Sequence, residues 1–361
     1  MFFREPRPLS TLPPLRIVVV DDSALFRLLM RNVLQSIPGC TVVGVANDGR
    51  EAIDQILALK PDLVTLDVQM PEMDGIQTLR EMNRCGLHVT TIMVSRLTAA
   101  GAKTTTDALL EGAFDFLLKP AGNSPAENKS ILSAALQEKI AAVREARQGI
   151  PVAVPEPPEP ELVFESDLTP SRAAFQAIVI GTSTGGPEAL RTVIPGLSKD
   201  LPVPVLVVQH MPSGYTARLA ERLNELSAIN VQEASDGDLL RPGTVLLAPG
   251  GRHLALVSKA GKVSIQLTDD PPEHGCRPAV DYTLRSAVDV FQGQLLTVIL
   301  TGMGRDGTDG CCLVRDHGGQ VFAQHADGCV VYGMPRSVIT NDLANRVIKL
   351  NAMASVINRT V

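Results

Sequence analysis

The segment "PVAVPEPPEPELVFESDLTP", from Pro151 to Pro170, constrains the rest of the chain more than any other. It is dense in proline and acid and holds no basic residue. Proline removes backbone donors and biases the chain toward polyproline II, and so few apolar side chains cannot offset the entropy of ordering it. No single core can run through such a stretch. The 361 residues are therefore expected to form two domains, which also suits usual domain sizes of roughly 100–200 residues. Just before the segment, "ENKSILSAALQEKIAAVREARQ" (Glu127–Gln148) is rich in strong helix formers with apolar positions at helical spacing. We place the first domain at 14–138, a helical end and linker at 139–174, and the second domain at 175–361.

Both halves alternate short β-branched runs with amphipathic stretches. In the first, "LRIVVV", "TVVGVA", "DLVTLD", "VTTIMV" and "AFDFLL" read as strands; in the second, "AIVIG", "VPVLVVQH", "TVLLAPG" and "LLTVILTG" do. Strands separated by helices imply parallel sheets covered on both faces, hence two α/β domains. "GRHLALVSKAGKVSIQLT" breaks the pattern and reads as an inserted β-hairpin.

Composition excludes several classes. A net charge of -6 with no lysine- or arginine-rich block gives no electrostatic reason to bind nucleic acid or an anionic membrane. The N-terminus, "MFFREPRPLSTLPPLRIVVV", is broken by Arg4, Pro6, Pro8, Pro13 and Pro14, so it lacks the apolar core of a secretory signal. No run approaches the roughly 18–20 apolar residues of a membrane span. A cytoplasmic protein without membrane insertion is expected. Six cysteines with no Cys-x-x-Cys pair read as reduced, structural thiols.

In open parallel sheets ligands sit beyond the carboxyl ends of the strands, so polar residues there carry the most information. Asp21 and Asp22 follow the first strand, Asp67 ends the third, Ser95 follows the fourth, and Lys119 follows the fifth. Three gathered carboxylates repel unless a cation intervenes, and oxygen ligands suit Mg²⁺. With a hydroxyl and an ammonium at the rim, such a pocket can support phosphoryl transfer to a carboxylate.

In the second half, "GTSTGGP" follows an apolar strand and opens a helix. It lacks the lysine and spacing of a phosphate loop and does not fit G-x-G-x-x-G, which leaves a plain turn or an exposed nucleophilic serine, Ser183. A serine needs a base and an acid from other strand ends. Of six histidines, His210 closes the apolar strand "VPVLVVQH", whereas His88 belongs to the first domain. His253 and His274, in polar loops, are second-rank candidates, and His317 and His325, flanking the strand "GGQVFAQ", read as surface or structural residues. "LLTVILTGMGRDGTDG" offers Asp306 as the acid, with Asp309 as its local rival.

The order Ser183, His210, Asp306 is not the serine–acid–histidine order of α/β-hydrolases. "VVVDDS", "LVTLDVQMPEMDG", "IMVS" and "LLKP" resemble the response-regulator receiver domain. "IGTSTGGPEAL", "VVQHMPSGYTARLAERLN", "LLAPGGRHL", "RPAVDYTLRSA", "ILTGMGRDGTDG" and "VVYGMP" resemble the catalytic domain of the chemotaxis protein-glutamate methylesterases, the CheB family. Thr182 and Gly251 depart from that family's commonest wording.

The resemblance implies a flavodoxin-like (βα)5 receiver, a linker, and a doubly wound, mostly parallel catalytic domain. It implies Asp67 as phospho-acceptor, with Mg²⁺ held by Asp21, Asp22, Asp67 and the carbonyl of Gln69, and Ser95 and Lys119 on the phosphoryl group. In the catalytic domain it implies Ser183 as nucleophile, His210 as base, Asp306 as orienting acid, and the backbone N–H groups of Thr184 and Met303 as oxyanion donors, with no cofactor for the esterase step. The implied substrates are methyl-accepting chemotaxis receptors, demethylated at glutamate and deamidated at glutamine. The implied phosphodonor is a chemotaxis histidine kinase, and the protein is expected to be a monomer. The alternative is a receiver-controlled binding module whose hydrolase-like domain is inactive.

Overall fold

Runs that are apolar on both faces become strands here because helices cover each side of the sheets. The computed structural model describes residues 13–147 and 175–361, so the Pro/Glu-rich segment lies outside the described residues. Contacts divide the chain into two units between Val143 and Arg144.

The first unit carries β1 (Leu15–Val20), β2 (Cys40–Ala46), β3 (Leu63–Asp67), β4 (Thr90–Ser95) and β5 (Asp115–Leu118). They form one parallel sheet in the order β2-β1-β3-β4-β5. The order reverses between β1 and β3, and a crevice opens at such a point. Every residue of β3 is buried. Side-chain caps start the helices that follow the strands: Ser23, Asp48, Asp74 and Thr98 each accept from a backbone N–H three residues on. Each cap contributes about 1 kcal/mol and fixes where the chain leaves the strand end. The long helix Pro125–Arg147 lays Leu132, Leu136, Ile140 and Val143 into the same core as β1.

The second unit carries β6 (Ala177–Thr182), β7 (Val205–Gln209), β8 (Asn230–Glu233), β9 (Thr244–Leu247), β10 (His253–Lys259), β11 (Lys262–Thr268), β12 (Leu295–Ile299), β13 (Gln320–Gln324) and β14 (Arg346–Ile348). Seven of them form a parallel sheet in the order β14-β13-β12-β6-β7-β9-β8. The chain builds outward from β6 on one side through β7, then returns through β12 on the other. The switch point therefore lies at β6. β10 and β11 pair antiparallel as the expected hairpin, with His253 opposite Thr268. Three helices of this unit begin after a positive-φ glycine, Gly185, Gly214 or Gly307, and receive no cap from a side chain at that position.

The structure corrects the reading of His253. It is the first residue of β10 and fully buried, not a loop residue. Its ring stacks on Tyr282 at 4.2 Å, and its two nitrogens bond Pro271 O and Ala279 N. The polar "PGGR" before it hid a strand whose next residues, Leu254, Ala255 and Leu256, are all buried.

Candidate functional site

At the switch point of the first sheet, ligand oxygens of Asp21, Asp22 and Asp67 lie within 4.8 Å of one another. Asp21 and Asp67 are buried, and Asp22 is exposed. The Lys119 ammonium lies 2.6 Å from Asp21 Oδ2 and 2.8 Å from Asp67 Oδ2. A cavity of about 120 Å³ is lined by Asp22, Asp67, Gln69, Ser95 and Gly101, among others. Burial raises the Asp67 carboxyl to about 6; the charges of Asp21 and Asp22 push the same way, and Lys119 pulls against them. Crowded carboxylates with a carbonyl-bearing neighbour are the oxygen donor set a hard divalent cation requires, so these residues fit Mg²⁺. Gly75 makes room at the back: a Cβ there would come within 2.2 Å of the Asp67 carbonyl oxygen.

At the switch point of the second sheet, three neighbouring strands deliver three side chains. Ser183 follows β6, His210 follows β7, and Asp306 lies in the loop after β12. His210 Nε2 bonds Asp306 Oδ2 at 2.7 Å. Asp306 is 2% exposed, whereas its rival Asp309 faces solvent and pairs with Arg305. Asp306 also accepts from Val280 N at Oδ2 and Asp281 N at Oδ1, at 2.7 and 2.9 Å. These are the first two amides of the helix Val280–Phe291, whose N-cap, Ala279, has no side chain to offer. Asp306 thus caps a helix from outside it. Burial works to raise its pKa, but the bond to His210, the imidazolium charge and the two amides outweigh burial and hold it below the ordinary carboxylate range.

Ser183 is partly exposed, and among the described residues its hydroxyl makes no hydrogen bond. Its backbone is fixed instead: Ser183 N donates to Thr301 O at 3.0 Å, and Gln209 Nε2 donates to Ser183 O at 3.0 Å. Thr182 also reaches Thr301 O through its hydroxyl, at 2.9 Å, which gives the unusual threonine a structural use. Gly302 allows the β12 loop to close on the serine, since a Cβ there would sit 2.8 Å from Ser183 Cβ. Gly251, the second departure, adopts φ 83, a left-handed conformation in which glycine costs least. Thr184 and Met303 flank Ser183 and Gly302 in sequence, and among the described residues the Met303 N–H has no backbone acceptor.

Sequence reasoning missed four participants. Gln209 and Thr301 hold the serine backbone; Cys276 lies close enough to His210 to shift its ionisation. Asp281 supplies an amide to Asp306 and pairs its own carboxylate with His274. Gln209, Thr301 and Asp281 lie inside the quoted wordings "VVQHMPSGYTARLAERLN", "ILTGMGRDGTDG" and "RPAVDYTLRSA", and Cys276 just before the last, but none of these wordings gave a contact. His88 belongs to the first unit, His317 Nδ1 bonds Leu313 O in the helix it follows, and His325 Nδ1 accepts from Asp327 N, all outside this constellation.

The CheB methylesterase family model matches residues 178–357, and the response regulator receiver domain model matches residues 17–129. A protein-glutamate methylesterase/protein-glutamine glutaminase of Symbiobacterium thermophilum is 45% identical, over 96% of this chain and 97% of its own. One from Thermotoga maritima is 41% identical, over 92% and 95%. The crystal structure of the Thermotoga maritima CheB methylesterase catalytic domain matches with a TM-score of 0.51 at 44% identity, covering 52% of this chain and 99% of that one. Relatives of this identity run the length of the chain, and both family models fall on the units that carry the two residue clusters: the chain belongs to the CheB methylesterase family, with a response regulator receiver domain at its front.

Proposed function

We propose that this chain is a phosphorylation-regulated serine hydrolase that demethylates glutamate methyl esters on chemotaxis receptors, releasing methanol, and deamidates receptor glutamines to glutamate. The observation that carries this reading is the bond between His210 and the buried Asp306, 2.7 Å long, on strand ends that flank Ser183.

Nε2 of His210 is committed to Asp306, which leaves Nδ1 as the base. Ser183 Oγ attacks the ester carbonyl while its proton passes to His210, and the oxyanion is received by the N–H groups of Met303 and Thr184. Collapse expels the methoxy oxygen, which takes the proton from His210 and leaves as methanol; a glutamine side chain loses ammonia in the same way. Water, deprotonated by His210, then attacks the acyl-enzyme and returns Ser183 with a free carboxylate. Asp306 holds the ring in one tautomer and offsets the imidazolium charge.

His210 is raised to about 9: burial favours the neutral ring, but Asp306, through its hydrogen bond and charge, together with Cys276 nearby, favours the imidazolium more strongly. The base works only when neutral, and below about 9 the resting ring holds its proton. The expected kcat/KM for methanol release therefore climbs with pH up to about 9 and then levels. A flat profile between neutral pH and that value would contradict the assignment.

In the receiver, Asp67 is the proposed phospho-acceptor, with a histidine kinase as donor. Asp21, Asp22, Asp67 and Gln69 would hold Mg²⁺, which would offset negative charge on the phosphoryl oxygens. Lys119, already between Asp21 and Asp67, is placed to meet the same oxygens, and Ser95 lines the cavity they would enter. Phosphorylation adds about -1.5 to -2 charge at this point. The test measures methanol release from methylated receptor with and without a small phosphodonor. The intact chain should be stimulated, and Asp67→Asn should keep the unstimulated rate and lose the response. Stimulation that survives in Asp67→Asn would remove Asp67 from the role.

A further inference from the structure

The carboxylate of Asp281 mirrors that of Asp306. Asp306 precedes the helix Thr308–Asp316 and caps the helix Val280–Phe291. Asp281, in the first turn of Val280–Phe291, caps the other helix in return: its Oδ1 accepts from Gly310 N at 2.7 Å. Its Oδ2 meets His274 Nε2 at 2.9 Å. Ligand atoms of His274, Asp281 and Asp306 lie within 4.8 Å of one another. Gly310 is required by this packing, because a Cβ there would come within 2.6 Å of Leu284 Cβ and 3.2 Å of Asp281 Oδ1.

Two buried carboxylates this close repel each other. Burial raises the Asp281 carboxyl; the Gly310 amide and His274 draw it down, and the charge of Asp306 adds to the rise. The Gly310 amide and His274 are therefore the groups that oppose this rise and hold the Asp281 carboxyl in place beside Asp306. The anchoring matters to the base because the Asp281 amide holds Asp306 Oδ1, and with it the direction of Oδ2 toward His210. An acid that rotates by a fraction of an ångström loses the ring orientation that the base needs.

We propose that Asp281 and His274 are positioning residues for hydrolysis, a second carboxylate–imidazole pair that acts through Asp306 on His210. This rests on the reading of Ser183, His210 and Asp306 as the hydrolytic set. His274 is the side chain to change, because it is exposed and its removal leaves the core intact. Methanol release from methylated receptor is measured for the full chain, for His274→Ala and His274→Gln, and for both in an Asp306→Asn background. His274→Ala should lower kcat about tenfold at unchanged KM, the scale on which outer partners of a functional group act. His274→Gln, whose amide can still donate to Asp281 Oδ2, should recover most of the loss. In the Asp306→Asn background neither change should alter the remaining rate by more than about twofold, because a residue acting through Asp306 has nothing left to act on. An equal factor in both backgrounds, a change in KM alone, or full activity in His274→Ala would overturn the inference while leaving the hydrolytic set standing. Full activity in Asp306→Asn alone would overturn the hydrolytic reading and this inference together.

Discussion

Ser183→Ala should reduce kcat for methanol release by about 10⁵- to 10⁶-fold while leaving the protein folded. The hydroxyl makes no hydrogen bond among the described residues, so removing it breaks no structural contact. The bonds that shape the turn, to Thr301 O and from Gln209 Nε2, involve only the backbone of residue 183 and survive the change. A near-unchanged Tm should therefore accompany the loss of activity. Nucleophile and base act as one unit, so Ser183→Ala with His210→Ala should be no slower than either alone. A Ser183→Ala protein that still releases methanol at a tenth of the normal rate would sink the assignment.

Asp306→Asn should cost about 10⁴-fold in kcat and, unlike the serine change, should also cost stability. Three donors converge on this carboxylate: His210 Nε2, Val280 N and Asp281 N. An asparagine offers one oxygen, so its NH₂ must face a donor whichever way the amide is turned. If it faces the imidazole it also faces Val280 N, which shares Oδ2, so the helix start loses an acceptor and the ring adopts the other tautomer, placing a proton on the nitrogen that should receive one from serine. If it faces Asp281 N, that buried helix amide loses its partner, at about 1–3 kcal/mol, and the neutral amide left toward the ring no longer offsets the imidazolium charge. The measurements are kcat and thermal unfolding on the same preparation. An Asp306→Asn protein with normal kcat, or one that loses rate with no change in Tm, would contradict the shared role of this side chain.

What could be read in the residues follows from how local each signal is. Long apolar runs such as "AIVIG" and "LLTVIL" declare themselves because they are buried on both faces. β8 and β14 escaped notice: they are short edge strands with exposed residues, Asn230 and Arg346 among them, and their pairing depends on neighbours far along the chain. Strand order was equally hidden, and with it the reason the strands that carry Ser183 and Asp306, β6 and β12, lie side by side. Residues at strand ends carried a signal because the topology of parallel sheets sends ligands there. Asp281, His274, Cys276 and Gln209 gave no sign of their partners, because each works through a contact made only after two helices or two strands have met.

The sheet order has a consequence for the chain as it is synthesised. β6 and β7 emerge early and lie side by side, but β12, which brings the acid, joins the far edge of β6 only after the hairpin and the helix Val280–Phe291 have been made. A partly translated protein would thus hold its serine and imidazole without the group that orients them, and would be at most a poor esterase on the ribosome. Competence arrives late, as a property of the finished polypeptide.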